Sequence, residues 1–455
     1  MIARSVSRST SGLIAAFVAV WTLAAMTVAA QAEVKIQDVT SSKGVNAWLV
    51  EDYTVPVISI RFSFEGGSTQ DPVGKEGLAN LMTTMLDEGA GDLESDAYQI
   101  KLDDAGAEMG FDVDADRFEG SMRMLADQRD EAVDLLKLAV NQPRFDQNPL
   151  DRMRSRIVAG IVGRERDPRT MASIKWAQAL YPDHPYARRA EGTAESLKTV
   201  TREDLQALHG KIFARNGLKI GVVGAIDEES LKKVLDSVFG DLPATTALTP
   251  VPDIVIKTGQ RINVDYALPQ TSLQLAFPGV KRDDPDYFSA YLMNQILGAG
   301  TFTSRLFDEV REKRGLAYSA SSGLGTSEHS NSLMISTATR SDRAGETLDL
   351  IRKIVADLAA NGVTDEELAA AKKYVVGAYA INNLDSSVAI ARTLVQLQVD
   401  DLGIDYMQKR EGLINSVTKE QVNAAAKRLL TPDPSILVVG PEQKAEQNSQ
   451  PKQPG

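Results

Sequence analysis

The chain has 455 residues, 43% of them hydrophobic and 25% charged, the balance of a globular protein long enough for more than one core. With 62 acidic against 50 basic residues the net charge is −12, which argues against nucleic-acid binding, since that wants a basic face. There is no cysteine, so disulfides and thiol chemistry are excluded, and only His184, His209 and His329 could offer an imidazole to a metal. The chain opens with Arg4 and Arg8, an apolar run over 13–30 and the small-x-small sequence Ala30-Gln31-Ala32. This pattern predicts a signal peptide over 1–32, cleaved before Glu33, and export of the mature chain. A run of this length also approaches a membrane span, so an uncleaved anchor is the rival reading; its alanine content and small-x-small end favour cleavage. No later stretch is apolar enough to cross a membrane.

Ile58, Ile60, Phe62 and Phe64 alternate with Ser59, Arg61, Ser63 and Glu65, the period of a half-buried strand. A Gly66-Gly67-Ser68 turn follows, and Gly77-Leu78-Ala79-Asn80-Leu81-Met82-Thr83-Thr84-Met85 opens a helix. Further helices are predicted near 131–140, 150–162, 204–213 and 231–239, with a strand at Ile220-Gly221-Val222-Val223-Gly224. The stretch from Leu242 to Pro252 has the Pro/Thr/Ala composition of a linker, placed here at 242–260 between a domain at 33–241 and one at 261–441. In the second part Leu273, Leu275 and Phe277 alternate as a strand. Helices are predicted near 344–358, 365–380 and 419–429, and a closing strand at Ile436-Leu437-Val438-Val439-Gly440. The Gln-, Lys- and Pro-rich residues 442–455 are expected to be disordered.

The two parts repeat one another. Val200-Thr201-Arg202-Glu203-Asp204-Leu205 matches Val417-Thr418-Lys419-Glu420-Gln421-Val422, and three other anchors keep nearly the same offset (417 − 200, 440 − 224, 349 − 134 and 375 − 157). Thr201 and Thr418 each stand three residues before Asp204 and Gln421, close to a capping box at each helix start. The predicted fold class is α+β: two homologous halves, each an antiparallel-rich sheet covered by helices.

The strand, the glycine turn and the helix from Gly77 frame a segment that resembles the zinc helix of the pitrilysin/insulinase peptidases, the inverzincins, whose motif is H-x-x-E-H. There two His at i and i+4 hold Zn²⁺ and the Glu activates water. Here Asn80, Thr83 and Thr84 occupy those positions, as degenerate zinc-site residues. Neutral amides and hydroxyls are poor zinc ligands, and threonine is no general base near neutral pH. The resemblance implies a third ligand, a Glu on a second helix, where this chain has Arg156-Ile157-Val158-Ala159-Gly160-Ile161-Val162-Gly163, with no acid. Metal bound to this chain is therefore expected to be none. Tyr181-Pro182-Asp183-His184-Pro185-Tyr186 is similar to the family's segment after that helix, which makes His184 a structural turn residue.

The most specific match is Gly298-Ala299-Gly300-Thr301-Phe302-Thr303-Ser304-Arg305-Leu306-Phe307, running into Arg311-Glu312-Lys313-Arg314-Gly315-Leu316-Ala317-Tyr318, similar to the family's second-half signature. Spacing alone makes Arg311 a helix-end cation and Tyr318 a sheet residue. The resemblance implies catalytic support in trans for Arg311 and Tyr318, and substrate binding for Gly298 and Gly300. In two-chain members such as mitochondrial processing peptidase, one subunit carries the zinc motif and a non-catalytic partner a glycine-rich loop that engages peptide. The resemblance thus implies a zinc-less, pseudo-peptidase subunit of a bacterial, periplasmic metallopeptidase. It would bind peptide and complete the active site of a homologous H-x-x-E-H chain in which zinc is expected. The alternative is a structural or peptide-binding protein of the same fold without a peptidase role. Homodimer and heterodimer are both compatible with the sequence.

Overall fold

The computed structural model describes residues 35–300 and 302–441; the predicted signal peptide and the tail lie outside them. Of the described residues, 38–441 form one compact unit. Two sheets organise it. The first has six strands, β1 (Gln37–Thr40), β2 (Asn46–Glu51), β3 (Val57–Glu65), β4 (Glu108–Val113), β5 (Arg117–Leu125) and β6 (Lys219–Gly224), in the spatial order β1-β2-β6-β3-β5-β4. The second has five, β7 (Arg261–Asp265), β8 (Gln270–Pro278), β9 (Ala317–Thr326), β10 (Asn331–Arg340) and β11 (Ser435–Gly440), in the order β9-β10-β8-β11-β7. β3 pairs antiparallel with β5 and β6, β5 with β4, and β10 with β8 and β9, as does β8 with β11, whereas β2 runs parallel to β6 and β7 to β11. The predicted α+β class with two homologous halves holds.

The alternation read in the sequence sets the first core. Ile58, Ile60, Phe62 and Phe64 are buried on one side of β3, where Phe62 meets Phe239 edge-on at 5.2 Å and Phe64 lies 4.5 Å from Phe213. Thr201 and Thr418 form capping boxes with Asp204 and Gln421, each hydroxyl accepting from the N–H three residues on. Helices occupy Arg129–Asn141, Gln147–Arg164, Arg202–Ile212, Glu228–Val238, Ala344–Asn361, Asp365–Asn383 and Lys419–Leu430, within a few residues of the predicted spans.

Two helices that the sequence reading did not identify tie the halves together. Pro168–Leu180, from the first half, lies on β7 and β11 of the second sheet, burying Ala172, Trp176 and Leu180 among Val264, Ala276, Leu437 and Val439. Ser387–Val399, from the second half, lies on β3 and β6 of the first sheet. Gly221 of β6 allows its close approach: a Cβ there would stand 2.5 Å from the carbonyl oxygen of Ala391. Gln398 seals the contact by donating to the carbonyl of Ile220 at 2.9 Å. The exchange is reciprocal, and both helices are 13 residues long.

A polar seam completes the join. The turn between β4 and β5 meets the turn between β9 and β10: Asp116 Oδ2 accepts from Tyr186 Oη at 2.5 Å and from the N–H of Glu328 at 3.1 Å. The N–H of His329 donates to Tyr186 Oη at 3.0 Å, and Arg117 donates to Glu328 Oε2 at 3.0 Å. Residues 242–260 carry no regular element, yet they are held in place: Gln70 bonds Thr249 through both its amide groups, His184 Nε2 lies 2.8 Å from the carbonyl of Pro252, and Ile254 donates to the carbonyl of His329.

Candidate functional site

The degenerate helix is short, Leu78–Thr83, and its start is specified by two groups. Gly77 has φ 92°, and a Cβ on it would lie 2.7 Å from the carbonyl oxygen of Glu191, so only glycine fits. Asp71, 3% exposed, accepts from the N–H of Gly77 at 2.8 Å and of Ala79 at 2.9 Å, occupying the free donors of the helix start. Burial pushes the Asp71 carboxyl up to about 7, against the pull of those N–H donors. Sequence reasoning missed Asp71; an acid six residues before a helix-opening glycine was the signal available.

The three family positions are half-buried on this helix. Thr83 Oγ1 donates to the carbonyl of Asn80, and Thr84 Oγ1 to that of Leu81, each at 2.8 Å. Both hydroxyls are thus turned into their own helix, which ends at Thr84 with φ −86° and ψ 0°. The neighbouring helix Gln147–Arg164 packs against it and brings the acid-free stretch 156–163 with it. Among the described residues no three His, Cys, Asp or Glu side chains gather where they could hold a metal ion. A zinc ion does not fit this donor set, an amide and two hydroxyls already engaged. His184 caps its turn, its Nδ1 accepting from the N–H of Tyr186 at 3.1 Å.

The second-half segment has an unusual backbone. Gln295–Ala299 and Phe307–Glu312 wind as π-helical turns, with i to i+5 bonds from Gly300 to Gln295 and from Lys313 to Asp308. Gly298 and Gly300 are both buried. A Cβ on Gly298 would stand 2.6 Å from Ser322 N, and one on Gly300 2.8 Å from the carbonyl of Gln295, so these glycines admit the chain's own backbone. Of this turn, Ala299 and Phe302 face outward, Phe302 being 71% exposed and set edge-on against Phe307.

Arg311 lies in the last turn of the second π-helical segment. Its guanidinium sits over the Phe307 ring at 4.7 Å, with Glu312 at 3.6 Å. Gly315, at φ 58°, turns the chain into β9. β9 is an edge strand, and its register slips between Ala317 and Ala320, which face Thr339 and Thr337. That bulge inserts an extra residue and turns Tyr318 outward, where it is 85% exposed and makes no hydrogen bond among the described residues. Arg311 and Tyr318 therefore flank one helix-to-strand turn, and no bond joins them.

Two sheets with exchanged helices, a glycine-started helix where a metal site would be, and an Arg/Tyr turn in the second half define a duplicated metallopeptidase fold without its metal ligands. The chain belongs to peptidase family M16, the insulinase family. Residues 48–193 match "Insulinase (Peptidase family M16)" and residues 199–375 match "Peptidase M16 inactive domain". A crystal structure of a peptidase M16 inactive domain from Pseudomonas fluorescens is similar, with 31% identity, TM-score 0.83, and coverage of 90% of this chain and 98% of that one. The non-peptidase homolog YmxG of Helicobacter pylori is 26% identical over 377 residues, 82% of this chain and 86% of that protein. The uncharacterized zinc protease YmxG of Bacillus subtilis is 23% identical over 409 residues, 89% and 98% of the two chains. The periplasmic protease PqqL of Escherichia coli shares the fold, with 18% identity and TM-score 0.76 over 90% of this chain and 45% of that one. The chain is thus an M16 protein in which Asn80, Thr83 and Thr84 stand at the positions of the family's zinc motif.

Proposed function

We propose that this chain is the non-catalytic subunit of an exported zinc metallopeptidase that pairs with a homologous chain bearing H-x-x-E-H, binds peptide and completes the partner's active site. The observation that carries the reading is the contrast between the two half-sites. Thr83 and Thr84 direct their hydroxyls to their own backbone, whereas Tyr318 is held outward by a bulge and its hydroxyl has no hydrogen-bond partner among the described residues. The Arg-flanked apolar run before Ala30-Gln31-Ala32 supports export to the periplasm.

In the assembled enzyme the partner's metal would polarise the scissile carbonyl, and the Tyr318 hydroxyl would donate to the oxygen on which negative charge develops. Such a donor acts on the transition state and so on kcat. Arg311 would hold a peptide carbonyl or carboxylate, so its loss should raise KM at least as much as it lowers kcat. Gly298 and Gly300, packed against Ser322 and Gln295, would set the shape of the turn that presents Phe302 to the peptide as its outward apolar group.

The test mixes the H-x-x-E-H homologue from the same host with wild type, Tyr318→Phe or Arg311→Ala and follows peptide hydrolysis. Wild type should activate the partner, and Tyr318→Phe should lower kcat by about 10²–10³. If both variants assemble normally and hydrolyse peptide like wild type, Arg311 and Tyr318 are structural, and the chain is a structural or peptide-binding protein of this fold.

A further inference from the structure

An asparagine side-chain amide is open to attack by the backbone nitrogen of the next residue, and glycine, with no Cβ, leaves that approach unhindered. The chain has two Asn-Gly pairs, Asn216-Gly217 and Asn361-Gly362. As sequence the two are equivalent; the fold separates them.

At Asn361 both reacting groups are committed. Asn361 is the last residue of the helix Ala344–Asn361, where the N–H of Gly362 donates to the carbonyl of Leu358 at 3.0 Å. Asn361 Nδ2 donates to Asp357 Oδ1 at 2.7 Å. Gly362 is buried, and its carbonyl accepts from Arg305 at 2.8 Å. Attack there requires the helix end to open first.

Asn216 and Gly217 lie in the turn between the helix Arg202–Ile212 and β6, which the N–H of Leu218 closes onto the carbonyl of Arg215 at 3.3 Å. Asn216 is exposed, and Gly217 has φ 76°. Neither the Gly217 N–H nor Asn216 Nδ2 finds an acceptor among the described residues. What is held is the oxygen: Asn216 Oδ1 accepts from the N–H of Thr246 at 2.7 Å. That donor draws charge from Cγ and stands ready for the oxyanion that forms as the nitrogen adds. The same turn is a clasp. The N–H of Arg215 donates to the carbonyl of Pro243 at 2.8 Å, and that of Asn216 to the carbonyl of Ala244 at 3.1 Å. With Thr246, these bonds fasten the start of the segment 242–260, which leads from the first half to the second, onto the first half.

We propose that Asn216 is a site of spontaneous covalent modification that loosens this clasp. The Gly217 nitrogen bonds to Asn216 Cγ, the Cγ–Nδ2 bond breaks, and ammonia leaves with the proton of the attacking nitrogen. Water then opens the resulting succinimide at either carbonyl, giving aspartate or isoaspartate. Aspartate keeps an acceptor for Thr246. Isoaspartate carries the backbone through the former side chain, which lengthens the turn and takes it out of step with 243–246.

The test ages the folded mature chain in mildly alkaline buffer and follows each site by peptide mass mapping and by labelling with an isoaspartyl methyltransferase. The amide-to-acid conversion and the label should appear at Asn216 at least about tenfold faster than at Asn361, whose helix end must open. In denaturant the two sites should convert at similar rates, and Asn216→Gln should remove the label, because its longer side chain closes the ring poorly. The isoaspartate-bearing fraction should also be nicked by protease within 242–252 faster than fresh protein. No conversion at Asn216 in the folded chain, or equal rates at the two sites before denaturation, would overturn the modification site. Equal nicking of aged and fresh protein would overturn the loosening of the clasp.

Discussion

At the scale of single residues, the degenerate site is defined by what its side chains bond to. Asn80, Thr83 and Thr84 lack the ligand chemistry, and the helix Gln147–Arg164 adds no carboxylate over 156–163. The triple variant Asn80→His, Thr83→Glu, Thr84→His is therefore expected to purify without tightly bound zinc, since two His leave the metal short of a third protein ligand. Elemental analysis finding one zinc per chain that survives dialysis against chelator would refute this. Asp71 carries a second prediction. Its carboxyl is raised from 3.8 to about 7 by burial, so the folded state binds a proton that the unfolded state has lost between those values. The stabilisation is present at low pH and is lost as pH rises from about 4 to about 7, after which the contribution is flat. Urea midpoints measured across that window should fall more steeply for wild type than for Asp71→Asn. A midpoint that instead rose more steeply in wild type would mean that the N–H bonds from Gly77 and Ala79 outweigh burial.

At the scale of elements, the repeated helix starts are local and should behave independently. Thr201 and Thr418 cap equivalent helices through the same reciprocal pair of bonds, so Thr201→Ala and Thr418→Ala should each cost about 1 kcal/mol. The sites sit in different halves, so the double variant should cost the sum within about 0.5 kcal/mol; a larger discrepancy in denaturant unfolding would show that the two helix starts are coupled. The π-helical turns and the bulge at Tyr318 are of another kind. Nothing in Gly298–Tyr318 distinguishes a widened turn from an ordinary one, because the choice depends on how Gly298 meets Ser322 and how β9 pairs with β10.

At the scale of the whole molecule, the reciprocal exchange of helices makes each half depend on the other. The first sheet lacks the cover over β3 and β6 unless Ser387–Val399 is present, and the second lacks its cover over β7 and β11 without Pro168–Leu180. The mature chain is therefore expected to melt in one transition. Gly221→Val should lower that transition as a whole, because any Cβ at 221 meets the Ala391 carbonyl. Calorimetry resolving two separate transitions, with only one of them shifted by Gly221→Val, would show that the halves are independent.

The sequence by itself determined the duplicated α+β plan, because alternation at Ile58–Phe64 and Leu273–Phe277, the paired Thr caps and a constant offset are properties of neighbouring residues. Once the resemblance to the insulinase family marks positions 80, 83 and 84, their residue types alone tell that an amide and two hydroxyls stand there. Only the tertiary structure decided the rest. The sheets that cover the exchanged helices come from the far half, so Trp176 and Leu394 read as ordinary apolar residues until those sheets are in place. Asp116 and Tyr186 gain their roles from partners distant in the chain, 70 residues apart for their own bond and 212 for the Glu328 bond to Asp116. Burial and long-range pairing are properties of the closed chain, and no local pattern encodes them.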